Sequence, residues 1–360
     1  MLSKTCESAV TLLPVVELDR LTDDAVRVVF EVPSEARGGY RYAPGQHVTV
    51  RLELDGVEAR RAYSLCAAPF GDAGRATLSI AVKELGPGGF GQVASSKLAV
   101  GDLVDVLPPA GRFVLQQGAE HVGIVAGSGV TPVLAMAEVA LARGDRFTLI
   151  YGNRTASSVM FLEELADLKD RYAERLMVLH VLSREPREAP LLTGRIDAER
   201  LPGLLDAASP GPDAQYYLCG PMAMVDVAKQ VLAERGVARG HVHFELFHAE
   251  DAPPPAAYAE TAKVLADGDV DVTVTLGGRR TQLAMSQDDD SVLAAVLKAR
   301  PDTPYSCTGG VCGTCRAKLV QGEVAMAHDY ALEPEEKAEG FVLACQSRPL
   351  TPAVELDFDA

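Results

Sequence analysis

Positive charge is scarce in this chain of 360 residues, where 34 Lys and Arg stand against 50 Asp and Glu and the formal net charge is -16. Nucleic acids and anionic membrane surfaces are negatively charged themselves, so both repel such a chain. We therefore expect no nucleic-acid partner. The same charge favours solubility and permits docking on a protein that presents a basic surface.

A long uninterrupted apolar run is also missing. Met1–Val10 carries Lys4 and Glu7 where a secretory signal would have its apolar core. The most apolar long stretch, Val122–Ala142, is broken by glycine, serine and proline and contains Glu138. This composition fits a buried strand followed by a helix better than a membrane span. We expect a cytoplasmic protein with no membrane segment, in which the seven cysteines are ligands or core residues rather than disulfides.

The pattern of apolar residues changes along the chain and predicts separate folded blocks. In residues 8–114, short alternating runs between turns predict an antiparallel β-barrel, with strands at Val26–Val32, His47–Glu53, Thr77–Val82 and Leu103–Leu107. In residues 115–247, apolar runs alternate with helical stretches, which predicts a doubly wound parallel sheet. Its predicted strands are Val122–Val125, Phe147–Tyr151, Met177–Leu182 and Gln215–Leu218, and its helices are Pro132–Ala142, Phe161–Tyr172 and Ala223–Arg235.

The last part of the chain predicts a linker and a small third domain. Residues 248–264, with Pro253–Pro255 and small or charged residues, are typical of a linker. Residues 265–360 begin with a β-hairpin at Asp271–Leu276 and a second strand ending near Leu283. A helix at Ser291–Ala299 and a cysteine-bearing loop follow.

That loop is the strongest single signal in the sequence. Tyr305–Arg316 reads YSCTGGVCGTCR, so its cysteines have the spacing C-x4-C-x2-C, and 29 residues separate the third from a fourth. Three thiolates on one tight loop and a distant fourth are typical of a plant-type [2Fe–2S] centre. The alternative is zinc, which usually requires a second C-x2-C unit or histidines, and this chain has only one such unit. The predicted ligands are Cys307, Cys312, Cys315 and Cys345.

A second motif lies at the end of a predicted strand in the first block. Arg60–Cys66 reads RRAYSLC. Arg61 can pair with a pyrophosphate, Tyr63 can stack on a flavin ring, and Ser64 can donate a hydrogen bond near the ring's N5. Without further context, an exposed arginine and a core tyrosine on an ordinary strand are the more common explanation.

Two further motifs lie at strand ends in the second block. Ala126–Pro132 reads AGSGVTP and opens a helix, which is an anion site because free N–H groups and the helix dipole point at the ligand. It lacks the third glycine of the dinucleotide fingerprint G-x-G-x-x-G. Tyr217–Met222 reads YLCGPM. Taken alone, Cys219 is more often a small buried strand residue than a functional thiol.

The residues that follow two other strands bear on the choice of nicotinamide cofactor. Asn153–Arg154 and Ser183–Arg184 place no Asp or Glu where a ribose diol would need one. Arg184 can instead pair with a 2′-phosphate. The residues therefore favour NADPH and leave NADH open, since an arginine after a strand is often only a solvated side chain.

Together these motifs resemble the ferredoxin–NADP⁺ reductase superfamily, and the whole chain resembles the reductase components of bacterial multicomponent oxygenases. The motifs that carry the resemblance are R-x-Y-S, G-x-G-x-T-P and C-G-P, followed by the cysteine loop. The resemblance implies FAD (FMN occurs in relatives), NAD(P)H, a [2Fe–2S] cluster in an α+β domain of the β-grasp fold, and a separate oxygenase component as electron acceptor. One departure is Gly91–Gln92, where related reductases usually have Ser or Thr.

The resemblance also implies roles for individual residues. Ser64, Thr131 and Cys219 would lie at the site of hydride transfer. The flavin would contact Arg61, Tyr63, Ser64, Lys83, Gly88, Gly89, Phe90, Gly91 and Phe247. The nicotinamide cofactor would contact Gly127, Gly129, Thr131, Pro132, Asn153, Arg154, Ser183, Arg184, Cys219, Gly220, Pro221 and Met222.

The three centres form a short electron chain with a chemical reason for its order. Nicotinamides deliver two electrons as hydride, a [2Fe–2S] cluster accepts one, and a flavin can take two and release them singly. We therefore predict an NAD(P)H-dependent oxidoreductase. A non-catalytic redox sensor or electron carrier is the alternative from a different class, although a sensor needs neither the C-G-P motif nor Arg184.

Overall fold

The computed structural model describes residues 11–54, 57–71, 76–84, 90–247, 255, 258, 261 and 268–360. These residues form two compact units, one up to residue 247 and one after it. The boundary lies at the start of the segment that the sequence predicts as a linker, residues 248–264. Within that segment, Thr261 is fully buried in the second unit, and the Tyr258 ring lies 6.0 Å from the Arg348 guanidinium carbon.

The first unit begins with an antiparallel barrel. Its strands are β1 (Thr11–Thr22), β2 (Ala25–Glu31), β3 (His47–Leu54), β4 (Val57–Ser64), β5 (Thr77–Lys83) and β6 (Leu103–Val106). They are ordered β4-β3-β6-β1-β2-β5, and a bridge between Leu65 and Ile80 joins the two ends of this sheet. Apolar side chains from alternate positions fill the interior, and a short helix, α1 (Phe90–Ser96), packs against it. The predicted barrel is confirmed.

The same unit continues as a five-stranded parallel sheet. Its strands are β7 (Glu120–Ala126), β8 (Arg146–Asn153), β9 (Leu176–Leu182), β10 (Gln215–Cys219) and β11 (Val242–Glu245), ordered β11-β10-β7-β8-β9. The connecting helices are α2 (Val130–Arg143), α3 (Leu162–Arg171), α4 (Leu201–Ala208) and α5 (Met222–Glu234). Because all five strands run in one direction, their carboxyl ends meet at a single edge. The doubly wound fold brings the predicted nucleotide motifs to that edge.

The second unit is an α+β domain. Its five-stranded sheet has the order β13-β12-β18-β14-β16, and β15 pairs with β17 beside it. The strands are β12 (Val270–Leu276), β13 (Arg279–Met285), β14 (Arg316–Gln321), β15 (Val324–Met326), β16 (Phe341–Leu343), β17 (Ser347–Pro349) and β18 (Ala353–Asp357). The helices are α6 (Val292–Ala299), capped by a hydrogen bond from Ala294 N to Ser291 Oγ, and α7 (Pro334–Ala338).

The predicted elements agree with the structure to within a few residues. Among the elements that the sequence does not predict, β1 and α4 have sequences that explain why. In β1, Glu17 and Asp19 interrupt the apolar pattern; both carboxylates pair with Arg27 on β2. The helix α4 has only eight residues and begins with a Leu-Pro pair. In the described part of the chain, no helix combines the length and the apolar character that a membrane crossing requires.

Candidate functional site

Three polar side chains meet where the barrel contacts the parallel sheet. Ser64 ends β4, Cys219 ends β10 and Glu245 ends β11. Ser64 Oγ donates a 3.2 Å hydrogen bond to Glu245 Oε2, and Glu245 lies opposite Cys219 in the register of β10 and β11. The structure therefore brings together two residues that the sequence predicts, Ser64 and Cys219. It also adds Glu245, which the sequence motifs do not predict.

Glu245 is itself held among buried groups. His47, the first residue of β3, is 2% exposed, and its Nδ1 lies 3.8 Å from Glu245 Oε1. A Cβ on Gly111 would lie 2.8 Å from the same Nδ1, so a glycine there leaves room for the imidazole ring. The only sequence signal for Glu245 is its place in the apolar segment Phe244–Phe247, because an acidic residue between apolar ones usually has a specific partner.

The Cys219 thiol is neutral. Its side chain is fully buried, and burial raises its pKa well above the usual value, with the Glu245 carboxylate acting in the same direction. A protonated thiol adds no second negative charge beside Glu245. Cys219 is therefore suited to a contact with an electron-accepting ring rather than to nucleophilic attack or metal binding.

The glycine turn after β7 is shaped by the backbone of β10. A Cβ on Gly129 would lie 2.1 Å from the Cys219 carbonyl oxygen, so only glycine permits this approach. Gly127 has a φ of +54°, and a Cβ on it would meet no atom of the described residues within 4 Å. The turn thus opens into free space at the start of α2. This arrangement fits a cofactor pyrophosphate at a helix N-terminus.

The residues around this turn have mainly structural contacts. Thr131 is 2% exposed, and its Oγ1 donates to the Ser128 carbonyl at 2.9 Å, which stabilises the turn. Pro132 is buried within the first turn of α2. The expected position of Thr131 near the nicotinamide ring stays a prediction. Of the other predicted residues, Gly220 and Pro221 connect β10 to α5, and Met222 is the first residue of α5.

On the barrel, the R-x-Y-S motif presents two groups suited to a flavin nucleotide. Arg61 is exposed, its Nη1 donates to the Arg60 carbonyl at 2.8 Å, and no carboxylate of the described residues pairs with it. The Tyr63 ring lies 5.5 Å from the Phe90 ring. Burial raises the pKa of Tyr63 to about 12, so its hydroxyl remains a donor. A cationic fork and a phenol side by side fit a phosphate and a ring edge.

The following turn is described only in part, because Gly88 and Gly89 lie outside the described residues. Beyond it, a Cβ on Gly91 would lie 2.7 Å from the Lys83 carbonyl oxygen. This explains why glycine stands where related reductases have Ser or Thr. The Lys83 ammonium lies 3.3 Å from Asp24 Oδ2, so its expected role toward a phosphate stays a prediction. Phe90 is buried in the barrel core, and Phe247 packs against the core of the parallel sheet.

The four residues expected at the adenosine end are adjacent. Ser183 N donates to the Asn153 carbonyl at 2.9 Å, and Arg184 N donates to the Arg154 carbonyl at 2.8 Å. Asn153 Nδ2 is buried without an acceptor in the part of the chain described, which fits a ligand at this edge. Both arginine side chains are exposed. Glu185, the next residue along the chain, lies at the same edge, where its Oε2 accepts a hydrogen bond from Ala156 N at 2.9 Å.

In the second unit, the four predicted cysteines form two pairs. Cys312 N donates to Cys307 Sγ at 3.4 Å. A hydrogen bond from the Cys312 thiol, helped by backbone N–H groups of the loop, lowers the pKa of Cys307 to about 5. A hydrogen bond from the Cys315 thiol likewise lowers the pKa of Cys345. Backbone donors that favour the thiolate are the environment that a cluster requires.

The pairing fits a two-iron cluster better than one ion. Two pairs of thiols supply two ligands to each iron of a [2Fe–2S] centre. The structure describes no disulfide among the six cysteines it covers. Cys6 lies outside the described residues, and Cys66 is buried in the first unit.

Comparisons with known protein families give matches to three successive parts of the chain. Three family models match: an oxidoreductase FAD-binding domain over residues 12–115, an oxidoreductase NAD-binding domain over residues 124–230, and a 2Fe-2S iron-sulfur cluster binding domain over residues 274–350. They account for FAD, a nicotinamide cofactor and a [2Fe–2S] cluster. The first of these models supports FAD as the flavin.

Relatives match over nearly the full length. The chain is 41% identical to a component of the 1,2-phenylacetyl-CoA epoxidase of Escherichia coli (strain K12), covering 97% of each chain. It is 33% identical to "3-ketosteroid-9-alpha-monooxygenase, ferredoxin reductase component" of Rhodococcus rhodochrous, over 94% of this chain and 93% of the relative.

A solved structure has the same fold from end to end. Phthalate dioxygenase reductase superimposes with a TM-score of 0.60 over 98% of this chain and 99% of its own, at 24% identity. Because the two relatives match at 33% to 41% identity over nearly the whole chain, the chain belongs to the family of NAD(P)H-dependent, FAD-containing oxygenase reductases of the ferredoxin–NADP⁺ reductase superfamily that end in a plant-type [2Fe–2S] domain.

Proposed function

We propose that this chain is the reductase component of a phenylacetyl-CoA epoxidase in cytoplasmic phenylacetate catabolism. It would take a hydride from NADPH and pass electrons to a separate oxygenase component. The observation that supports the substrate class is the 41% identity to the Escherichia coli epoxidase component over 97% of both chains. Four segments resemble that family: Arg61–Cys66, Gly127–Pro132, Ser183–Glu185 and Asp329–Glu336.

A second candidate is the reductase component of a 3-ketosteroid 9α-hydroxylase. Four relatives named "3-ketosteroid-9-alpha-monooxygenase, ferredoxin reductase component" match at 32% to 34% identity over 94% to 98% of this chain. Because the reductase never touches the substrate of the oxygenase, its own motifs do not discriminate between these oxygenases. The lower identity makes this the weaker candidate.

The residues at the junction have distinct tasks in electron entry. Bound FAD supplies the step from two-electron to one-electron chemistry. Glu245 accepts the hydrogen bond of Ser64 and so fixes the hydroxyl at the barrel edge. Cys219 contributes an uncharged, buried thiol beside it. The open turn at Gly127 would hold the pyrophosphate of the nicotinamide cofactor, and Arg61 would pair with the pyrophosphate of FAD.

NADPH rather than NADH is supported by the exposed guanidinium of Arg184 at the adenosine edge. We expect Arg184→Ala to raise the KM for NADPH by about ten- to a hundredfold, because a lost charge-assisted pair is worth about 1.5–3 kcal/mol. The KM for NADH should stay nearly unchanged. Glu185→Gln is the matched control: it removes the neighbouring charge and should not weaken NADPH binding. An equal effect of Arg184→Ala on both cofactors would contradict the choice of NADPH.

The net negative charge of the second unit supports docking on a basic surface of the oxygenase component. Residues 268–360 contain 15 acidic and 8 basic side chains. Electron delivery to a basic surface should weaken as salt rises, because exposed charges are screened beyond about 8 Å at 0.15 M. NADPH-to-ferricyanide turnover needs no protein docking and should respond much less.

The decisive experiment is reconstitution with purified oxygenase components. We expect NADPH-dependent epoxidation of phenylacetyl-CoA with the epoxidase component, at a rate that falls with salt, and little product with a 3-ketosteroid hydroxylase component. The reverse preference would instead favour the second candidate, the reductase component of a 3-ketosteroid 9α-hydroxylase. Absence of rapid NADPH-dependent reduction of cytochrome c would instead support a redox sensor.

A further inference from the structure

The residue after the fourth cluster cysteine is a buried glutamine. Gln346 is 8% exposed and lies between Cys345 and β17. Its backbone is fixed on both sides: its N–H donates to the Leu343 carbonyl at 2.9 Å, and its carbonyl accepts from Ala327 N at 2.9 Å. A polar side chain at such a position needs partners, because a buried amide without them costs free energy.

The side-chain amide of Gln346 has its partners in the cluster loop and at the fourth ligand. Nε2 donates to the Thr308 carbonyl at 2.7 Å and to the Cys345 carbonyl at 3.3 Å, and it lies 3.7 Å from Cys345 Sγ. Both carbonyl oxygens are acceptors, so the amide nitrogen and not the amide oxygen must face them. One NH₂ group thus reaches the loop that carries three cysteines and the sulfur of the fourth.

The loop needs this support because its backbone is strained. Thr308 has a φ of +53°, in the left-handed region that a residue with a Cβ adopts only at a cost of about 1–2 kcal/mol. Gly310 has a φ of +77°, and a Cβ on it would lie 3.0 Å from Gln346 Cγ. The glutamine side chain therefore packs against the loop as well as bonding to it.

We propose that Gln346 is a positioning residue for the [2Fe–2S] cluster with two separable effects. Its bond to the Thr308 carbonyl holds the strained turn after Cys307 in the conformation that ligates iron. Its donor toward Cys345 Sγ stabilises the extra negative charge of the reduced cluster and so raises the reduction potential. The proposal rests on the four cysteine ligands and not on the identity of the oxygenase.

The first test is Gln346→Met in the full-length holoprotein, since methionine has a similar length and no donor. Two changes are expected. The visible cluster absorption should be lost roughly two- to tenfold faster in the presence of a chelator, in keeping with one lost hydrogen bond. The potential, followed by the EPR signal of the reduced cluster in a dye-mediated titration, should become more negative. Gln282→Met on the exposed face of β13 is the matched control and should change neither value.

The second test separates the two effects with Thr308→Gly. Glycine adopts a positive φ freely, so the loop no longer depends on the bond from Gln346. In the double variant Thr308→Gly/Gln346→Met, the rate of cluster loss should return toward the wild-type value, while the potential stays negative because the donor to the sulfur is still absent. If Gln346→Met alone does not retain its cluster, the reduction potential is measured on the double variant instead. A wild-type potential in the double variant, or a wild-type loss rate in Gln346→Met, overturns the proposal.

Discussion

Gly129→Ala tests how closely the two nucleotide loops must approach each other. The added Cβ would lie 2.1 Å from the Cys219 carbonyl oxygen, 2.6 Å from the carbonyl carbon and 3.1 Å from Gly220 N. All three atoms belong to the backbone, so no side chain can rotate away. Real contacts of this kind are longer than 3.0 Å, and the turn after β7 must therefore move from β10 by about 1 Å.

Two consequences of that movement can be measured. The strain should lower the free energy of unfolding of the first unit by about 1–3 kcal/mol, the usual range for overpacking. A displacement of about 1 Å between reacting groups can slow a reaction roughly a hundredfold. We therefore expect stopped-flow reduction of the flavin by NADPH to slow by about that factor, while flavin content and the cluster spectrum stay normal.

Gly127→Ala is the control variant: it replaces a glycine of the same turn without a clash between the two loops. It has a φ of +54° and no described neighbour within 4 Å of an added Cβ, so it introduces strain of about 1–2 kcal/mol without separating the loops. It should weaken cofactor binding and so raise KM, but leave flavin reduction at saturating NADPH closer to normal. A Gly129→Ala protein with wild-type flavin reduction at saturating NADPH would refute the argument from close approach.

Three further predictions concern the other centres. Cys312→Ser should abolish the visible [2Fe–2S] absorption while flavin and most NADPH-to-ferricyanide activity remain, and an intact cluster spectrum would contradict the ligand assignment. Glu245→Gln keeps an acceptor for Ser64 but removes the charge, so we expect flavin reduction to slow roughly five- to tenfold, and an unchanged rate would exclude a role for the charge. His121 is a fully buried residue of β7, and burial lowers its pKa. The unfolded chain therefore binds the proton more readily than the folded chain, and the free energy of unfolding decreases as pH falls below about 6.5. The Tm of the first unit should fall more steeply from pH 7 to pH 5 in the wild type than in His121→Gln; equal slopes would show that His121 does not contribute.

The cluster loop shows how much a short segment can reveal. Its ligand set is recognisable because three of the four thiolates lie within nine residues, Cys307–Cys315, and their spacing alone restricts the metal centre. The alternation of strands and helices in residues 115–247 is equally local. Since parallel strands end at one edge, the sequence pattern alone indicates that the motifs at Gly127 and Cys219 lie at the same edge of the sheet.

What the sequence could not determine are contacts between residues that are far apart in the chain. Ser64 and Glu245 are separated by 181 positions, and they meet only because the end of β11 lies beside the barrel. Hydrophobic periodicity reports which side chains are buried, but not which partners they meet, so the place of Glu245 in an apolar segment did not reveal its contact with Ser64. The close approach of Gly129 to the Cys219 carbonyl also depends on the order of the strands.

The sequence by itself therefore predicted the three domains, their cofactors and the four cluster cysteines, because each prediction depends on periodicity or on a motif within one short segment. The tertiary structure decided which groups act together: Glu245 with Ser64 and Cys219, and Gln346 with the strained turn at Thr308. Those contacts arise from sheet order and loop packing, which bring together side chains that no local pattern connects.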